Sequence, residues 1–366
     1  MTRRALPVRA WRYLWHNGGY WTVRKAGNAL LAHLARRGRW TWCPSGPVVA
    51  KIEATNVCNG DCRLCPVGRK EPGGRPGGMM DWDLYRGLID ALKRTVVTVD
   101  LTNWGESLLH PRILEMIRYA HGARMYTYLS TNLHTVRDDH VEGLMTSGLD
   151  ELALSLHGLS DATYRAYQPG YAFDDAVARI ERLVDARRRL SRDGKPKIKI
   201  NVVVTAKNHH ELDDVPAFAE RLGVDYVLSE ASLNLRFKVP PEMARRRPDD
   251  ARAIMRPEID EWVPPAGTYD RAAYRELLDT PAGLYDPRKR FRCDWPWMAL
   301  VVNYDGATSI CCGSFHPADD VGRYTGQPIR RLWNSPPYRQ CRRAFHRRRR
   351  SAPAGVLCEH CPGVLL

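Results

Sequence analysis

Ten cysteines fall mostly into groups in this 366-residue chain: Cys58, Cys62 and Cys65; Cys293, Cys311 and Cys312; Cys358 and Cys361. Cys43 and Cys341 stand alone and read as ordinary thiols. Residues 1–10 are basic but no apolar stretch follows them, so no secretory leader is expected. The expected compartment is the reducing cytosol, where structural disulfides are rare and grouped cysteines read as metal ligands. Cys58-Asn-Gly-Asp-Cys62-Arg-Leu-Cys65 is a C-x3-C-x2-C run. Its three thiolates can hold three irons of a 4Fe–4S cube and leave the fourth iron open to a substrate. With a fourth ligand from elsewhere they would hold zinc instead. A purely electron-carrying cluster normally has four protein ligands, so an iron–sulfur cluster held by three implies chemistry. Cys293, Cys311, Cys358 and Cys361 offer four thiolates, enough to close a second cluster or a zinc site. Cys312 could replace Cys311.

The elements that must position these groups alternate. Strand patterns cover 48–54, 96–101, 125–130, 151–156, 198–204 and 225–229, with helical patterns at 81–93, 110–121, 137–147, 174–190 and 209–222. Six strands with five intervening helices predict an α/β fold with a parallel sheet, because right-handed crossovers return the chain in the same direction. A curved sheet or partial barrel keeps its working loops at the C-terminal strand ends, and Cys58 follows the first strand. Residues 236–290 are rich in Pro, Arg and Asp, show one helical stretch near 270–278, and read as a connector. From 291 a smaller unit begins: a hairpin with strands at 298–302 and 307–310 around a turn at 303–306, then an Arg-rich helix leading to Cys358-Glu-His-Cys361.

The three-cysteine loop on this β/α run resembles the radical S-adenosylmethionine (SAM) superfamily over about residues 48–235. The resemblance implies a partial (β/α)6 TIM-like barrel, with Cys58, Cys62 and Cys65 holding the SAM-binding 4Fe–4S cluster. Asn103-Trp104-Gly105-Glu106 looks like the family's GGE-type motif, which accepts the methionine ammonium of SAM; Trp104 replaces the first glycine. Asn132 and Ser155, after the third and fourth strands, resemble positions near the SAM ribose and carboxylate; ordinary strand-end capping would also explain them. Leu64 stands where many members have an aromatic against the adenine. The resemblance implies reductive cleavage of SAM to methionine and a 5′-deoxyadenosyl radical that takes a hydrogen atom from the substrate. No catalytic side chain is assigned beyond the cluster. Residues 291–366 resemble the SPASM/twitch extension, with Cys293, Cys311, Cys358 and Cys361 closing an auxiliary 4Fe–4S cluster. Because the chain stops at Leu366, the resemblance is to the shorter form with one such cluster.

The net charge of +15 is concentrated at the ends. Residues 1–46 carry nine Lys/Arg and no acid, and residues 321–366 carry ten Arg and one acid, Glu359, leaving the middle at −3. No apolar run is long enough to span a membrane. In residues 1–47, rich in Trp and Arg, Val23, Leu30 and Leu34 share a helical face with Ala26 and Leu31. Such a helix either lies on an anionic membrane or packs on the barrel and covers its open edge. The expected function is radical oxidation or modification of a small molecule such as a sugar, cyclitol or lipid-linked precursor. An acidic donor such as flavodoxin or ferredoxin would dock near Arg347–Arg350. The alternatives are a maturase of a ribosomally made peptide and, from another class, a zinc-binding protein that contacts nucleic acid. His157, Asn201 and Glu230 are further candidates for lining the cavity.

Overall fold

The computed structural model describes residues 18–191, 193–235, 238–265, 272–285, 293–345 and 357–359. Helix α1 (Val23–Gly38) leads into the expected alternation: β1 (Val49–Ile52), α2 (Trp82–Leu92), β2 (Thr98–Asp100), α3 (Ile113–Gly122), β3 (Tyr126–Thr131), α4 (Asp138–Thr146), β4 (Glu151–Ser155), α5 (Asp161–Tyr167), α6 (Phe173–Leu190), β5 (Lys197–Val204), α7 (Val215–Leu222) and β6 (Asp225–Glu230). Each strand pairs in parallel with the next. Local chemistry sets the boundaries. Asp81 caps α2 by accepting from the N–H groups of Asp83 and Leu84, and Tyr85, Leu88, Ile89 and Leu92 then fall on its buried face. The Ser160 cap starts α5, a separate helix that the periodicity did not reveal.

The connector is more ordered than its composition suggests. It forms α8 (Pro241–Arg246), α9 (Pro248–Trp262) and α10 (Ala272–Asp279), where one helix was expected. Proline misleads here because Pro241 and Pro248 open their helices, where a missing N–H costs nothing. These helices share a core with Leu64, Leu233, Val239, Met255, Ile259, Trp262 and Tyr274.

The C-terminal unit contains α11 (Trp295–Met298), β7 (Ala299–Val302), β8 (Ala307–Ser309), β9 (Asp320–Arg323), α12 (Ile329–Trp333) and α13 (Pro336–Arg343). β7 and β8 form the expected hairpin, and β9 adds a third antiparallel strand. β7 also pairs in parallel with β1, from Val49 opposite Ala299 to Ile52 opposite Val302. The sheet therefore runs β6-β5-β4-β3-β2-β1-β7-β8-β9. The barrel edge at β1 is extended by the C-terminal unit rather than covered by α1.

Helix α1 instead crosses the N-terminal ends of the strands. Asn28 accepts from Gly46 N (2.7 Å) and donates to the carbonyls of Gly46, Pro47 and Thr95, just before β1 and β2. The Lys25 ammonium donates to the Arg124 carbonyl before β3, and the Tyr20 hydroxyl donates to Asp150 before β4. Tyr20, Ala32, Val48, Val97 and Tyr126 form a small core under this plug. The apolar face of Val23, Leu30, Leu31 and Leu34 points outward, contrary to the expectation that a packed helix would turn it inward. Asn28→Ala should destabilise the protein by about 2 kcal/mol, because it strands several buried backbone groups at once. The denaturation midpoint of the reconstituted protein checks this; an unchanged midpoint would contradict the plug.

Candidate functional site

The three-cysteine loop leaves the C-terminal end of β1 and is clamped by three other loops. Asn132, after β3, donates from Nδ2 to Asn59 Oδ1 (2.8 Å) and lies 3.9 Å from Cys58 Sγ. The end of α5 and the segment after it reach it through Arg63 N to Tyr167 O (3.0 Å) and Tyr171 OH to Asn59 O (2.7 Å). After β6, Asn234 Nδ2 donates to Leu64 O (3.0 Å). Gly68 permits the fold-back, since a Cβ there would lie 2.6 Å from the Cys62 backbone. Leu64, which stands in place of the family's aromatic, is buried in the connector core.

The donor set fits an iron–sulfur cluster. Burial pushes the Cys58 thiol up to about 11 and raises Cys62 and Cys65 as well. Bare thiolates are costly here and call for a positive centre to stabilise them. N–H groups point at the sulfurs, from Gly60 to Cys58 (3.3 Å) and from Gly68 and Val67 toward Cys65. The Gln168 side chain is fully buried beside Cys62, and neither polar atom of its amide has a conventional partner. Such donors around sulfur are what a bound cluster uses. No group of three or more His, Cys, Asp or Glu among the described residues closes on a single-ion site.

Gly105 and Glu106 sit beside this loop. A Cβ on Gly105 would lie 2.1 Å from Thr55 O, so glycine alone allows the motif to press against the end of β1. Glu106 is buried, and its carboxylate accepts from Asn132 N (2.7 Å) and Leu108 N (3.1 Å). Burial raises its pKa, while the Asn132 and Leu108 N–H groups pull it down. The Thr131 and Thr135 side chains pull it down further. Asn132 also caps its own turn, its Oδ1 accepting from His134 N (3.0 Å), so strand-end capping accounts for part of its role. Ser155 ends β4 opposite Asn201. Trp104 has a use that its place in the motif did not suggest. Its Nε1 donates to Ser314 O (2.7 Å), and its ring meets Phe315 edge-on at 5.5 Å.

A cavity of about 470 Å³ opens between the loop and the C-terminal unit, lined by Glu53, Asn56, Cys58, Lys70, Arg75, Trp104 and Phe315, among others. Sequence reasoning missed Glu53, although an acid at the end of a barrel strand was a usable signal. Glu53 is buried, and its carboxylate accepts from Asn103 Nδ2 (3.2 Å), Trp104 N (3.3 Å) and Tyr304 N (3.3 Å). Lys70 and Phe315 were also missed, because their convergence depends on the docking of two distant segments. His157, Asn201 and Glu230 do not line this cavity. His157 is buried and accepts from Val203 N, Asn201 accepts from Ser229, and Glu230 is exposed.

In the C-terminal unit, Cys293 and Cys311 pack against the core that includes Cys358, Trp297, Tyr338 and Phe345. Tyr338 feels the charge of Cys311 and Cys358. Cys361 and Arg347–Arg350 lie outside the described residues. Cys43 and Cys341 are buried.

The radical SAM superfamily is matched over residues 52–214 and the SPASM iron–sulfur cluster-binding domain over residues 293–362. A tungsten-containing aldehyde ferredoxin oxidoreductase cofactor-modifying protein of Pyrococcus furiosus is 26% identical over 270 residues, 72% of this chain and 71% of that one. The mycofactocin maturase MftC of Mycobacterium ulcerans is 29% identical over 179 residues, 48% of this chain and 45% of its own length. The chain thus spans less than half of that relative. The structure of Streptococcus suis SuiB bound to S-adenosylmethionine aligns with a TM-score of 0.59 at 15% identity, covering 86% of this chain and 71% of that one, and shows the same fold. The matched domains replace the zinc reading with the iron–sulfur one.

Gly105→Ala should drive the motif off the end of β1 and weaken S-adenosylmethionine binding by at least about tenfold, the misplacement being near 1 Å or more. Equilibrium binding to the reconstituted protein checks this; an unchanged affinity would show that the close approach is dispensable.

Proposed function

From the premise that this chain is a radical SAM enzyme with a SPASM iron–sulfur domain, we infer that it removes a hydrogen atom from a small molecule held between the cluster loop and the C-terminal unit. The cavity carries this reading: about 470 Å³ beside Cys58 is the size of a small-ligand site. Cys58, Cys62 and Cys65 would hold the first 4Fe–4S cluster. Cys293, Cys311, Cys358 and Cys361 would hold the auxiliary one; the packing of Cys311 in the core supports it over Cys312. Bound together, the first cluster and S-adenosylmethionine supply hydrogen-atom abstraction driven by one-electron cleavage of a sulfonium.

The chain's own residues do the rest. Glu106 would pair with the methionine ammonium, a cation that relieves the cost of its burial. Asn132 and Gln168 hold the loop and its sulfurs in place, and Ser155 would meet the nucleoside end. Trp104 and Phe315 wall the cavity, exclude water and fix the C-terminal unit over it. Lys70, an exposed cation on the rim, suits an anionic group on the substrate. A second reading, a peptide substrate, is favoured by the likeness to the mycofactocin maturase MftC; SuiB, which shares the fold, is also known bound to the precursor peptide SuiA. Electrons would come from an acidic donor such as a flavodoxin or ferredoxin.

Replacing Cys58, Cys62 and Cys65 together by Ala should remove about half the iron and abolish 5′-deoxyadenosine formation, on the two-cluster ligand count. Stoichiometric zinc without iron in the native protein would overturn the assignment. Glu106→Gln keeps the shape but removes the charge; it should weaken S-adenosylmethionine binding about tenfold or more with iron content intact. Unchanged affinity in a binding titration would remove Glu106 from the site. Cys358→Ala with Cys361→Ala should leave 5′-deoxyadenosine formation but lose product. For the substrate class, deuterated small-molecule extracts should transfer label into 5′-deoxyadenosine, read by mass spectrometry. Transfer from peptides alone would establish the second reading.

A further inference from the structure

Helix α1 is amphipathic in the reverse of the usual sense. Toward the barrel it presents Lys25, Asn28, Ala32 and Ala35. Away from the barrel it presents Val23, which is 94% exposed, Leu30 at 60%, Leu31 and Leu34. Trp40 and Trp42 follow at 45% and 47% exposure. The inversion is costly, since burial lowers the Lys25 ammonium to about pKa 8. A helix that buries its polar side and exposes its leucines marks an interaction surface.

The charges around these leucines are mostly positive. Arg24 and Arg37 are exposed on α1, and Arg330 and Arg331 are exposed on the neighbouring α12. Arg330 lies over the Trp42 ring, 5.2 Å from its centroid, which ties the cationic and aromatic parts of the face together. A cavity of about 670 Å³ opens between α1, the end of α2 and the start of α12. Its cations are Arg24, Lys93, Arg94 and Arg330, and its acid, Asp90, is bonded to Lys93 at 2.8 Å. Residues 1–46 contain no acid at all.

We propose that the outer face of α1 docks on an anionic lipid bilayer, with its leucines and Trp40 and Trp42 at the headgroup–acyl boundary and the cationic cavity receiving a lipid phosphate. Apolar side chains framed by arginine and tryptophan are the composition that binds such an interface. No described helix is long and apolar enough to cross a membrane. Its placement has a consequence for the reaction. α1 lies across the N-terminal strand ends, whereas Cys58, Glu106 and Asn132 lie at the C-terminal ends. A bilayer on α1 therefore faces away from the catalytic cavity. The contact anchors the enzyme, and its substrate enters from the aqueous side.

The test uses the full-length reconstituted protein in anaerobic co-sedimentation with vesicles of phosphatidylcholine alone or mixed with phosphatidylglycerol. Native protein should sediment with the anionic vesicles and not with phosphatidylcholine alone. Leu30→Glu with Leu34→Glu should lower the anionic partition by at least about tenfold. Arg24→Gln with Arg330→Gln should weaken it and flatten its salt dependence. Iron content should be unchanged in both, since all four side chains are exposed. Native protein that ignores anionic vesicles would overturn the proposal. So would binding that survives the leucine substitutions, which would assign it to residues 1–17. A leucine variant that turns a dimer into a monomer while vesicle binding is unchanged would make the face a self-interface and overturn the proposal equally.

Discussion

Strand β1 has a neighbour on each edge, β2 from the barrel and β7 from the C-terminal unit, and both pair with it in parallel over the same residues. The parts of the site are registered against this strand. Its C-terminal end releases the three-cysteine loop, carries Glu53, and receives Gly105 at a distance that admits no side chain. Its other neighbour leads through the β7–β8 hairpin to Cys311. One run of backbone pairing thus places the proposed S-adenosylmethionine cluster, the motif beside it and the auxiliary cysteines in a single frame. A slip of one residue between β1 and β7 would turn every side chain of β7 to the opposite face.

The rest of the chain secures that frame from both ends. Below the strands, Asn28 and Lys25 stitch α1 to the loops entering β1, β2 and β3. The same N-terminal segment then reaches the C-terminal unit: Arg39 donates to Cys293 O (2.9 Å), Arg36 pairs with Asp294, and Asn334 bonds Cys43. Arg342 is wholly buried there, donating to Pro296 O (2.8 Å) and lying against Trp333 and Tyr338. Above the strands, Trp104 and Phe315 join the two units across the cavity. The substitution of Trp104 for the glycine expected in the motif is therefore a docking contact.

Much of this was legible in the residues. The six strands follow from runs of apolar residues bounded by turns, and the cysteine grouping points to metal binding while leaving iron–sulfur and zinc both open. Period-based reading failed where tertiary contacts reverse a local signal. The prolines at 241 and 248 read as breaks but open helices, and Leu64, a departure from the family's aromatic, fills the connector core. The orientation of α1 was illegible for a related reason. Hydrophobic periodicity locates an apolar face but does not say which side the barrel occupies, and here hydrogen bonds from Asn28 decide it. Glu53, Gln168 and Phe315 gain their roles from segments more than a hundred residues apart in places, which no local pattern encodes.

We propose an asymmetry between the two sites: three thiols would hold a cluster with an open corner, while four would hold a closed one. Electron paramagnetic resonance of the anaerobically reduced protein, titrated with S-adenosylmethionine, tests it most directly. The account predicts that the cofactor perturbs the signal of one cluster and leaves the other unmoved, and that the responsive signal is the one lost when Cys58, Cys62 and Cys65 are replaced. A response from both clusters, or one that survives the loss of those three cysteines, would contradict it.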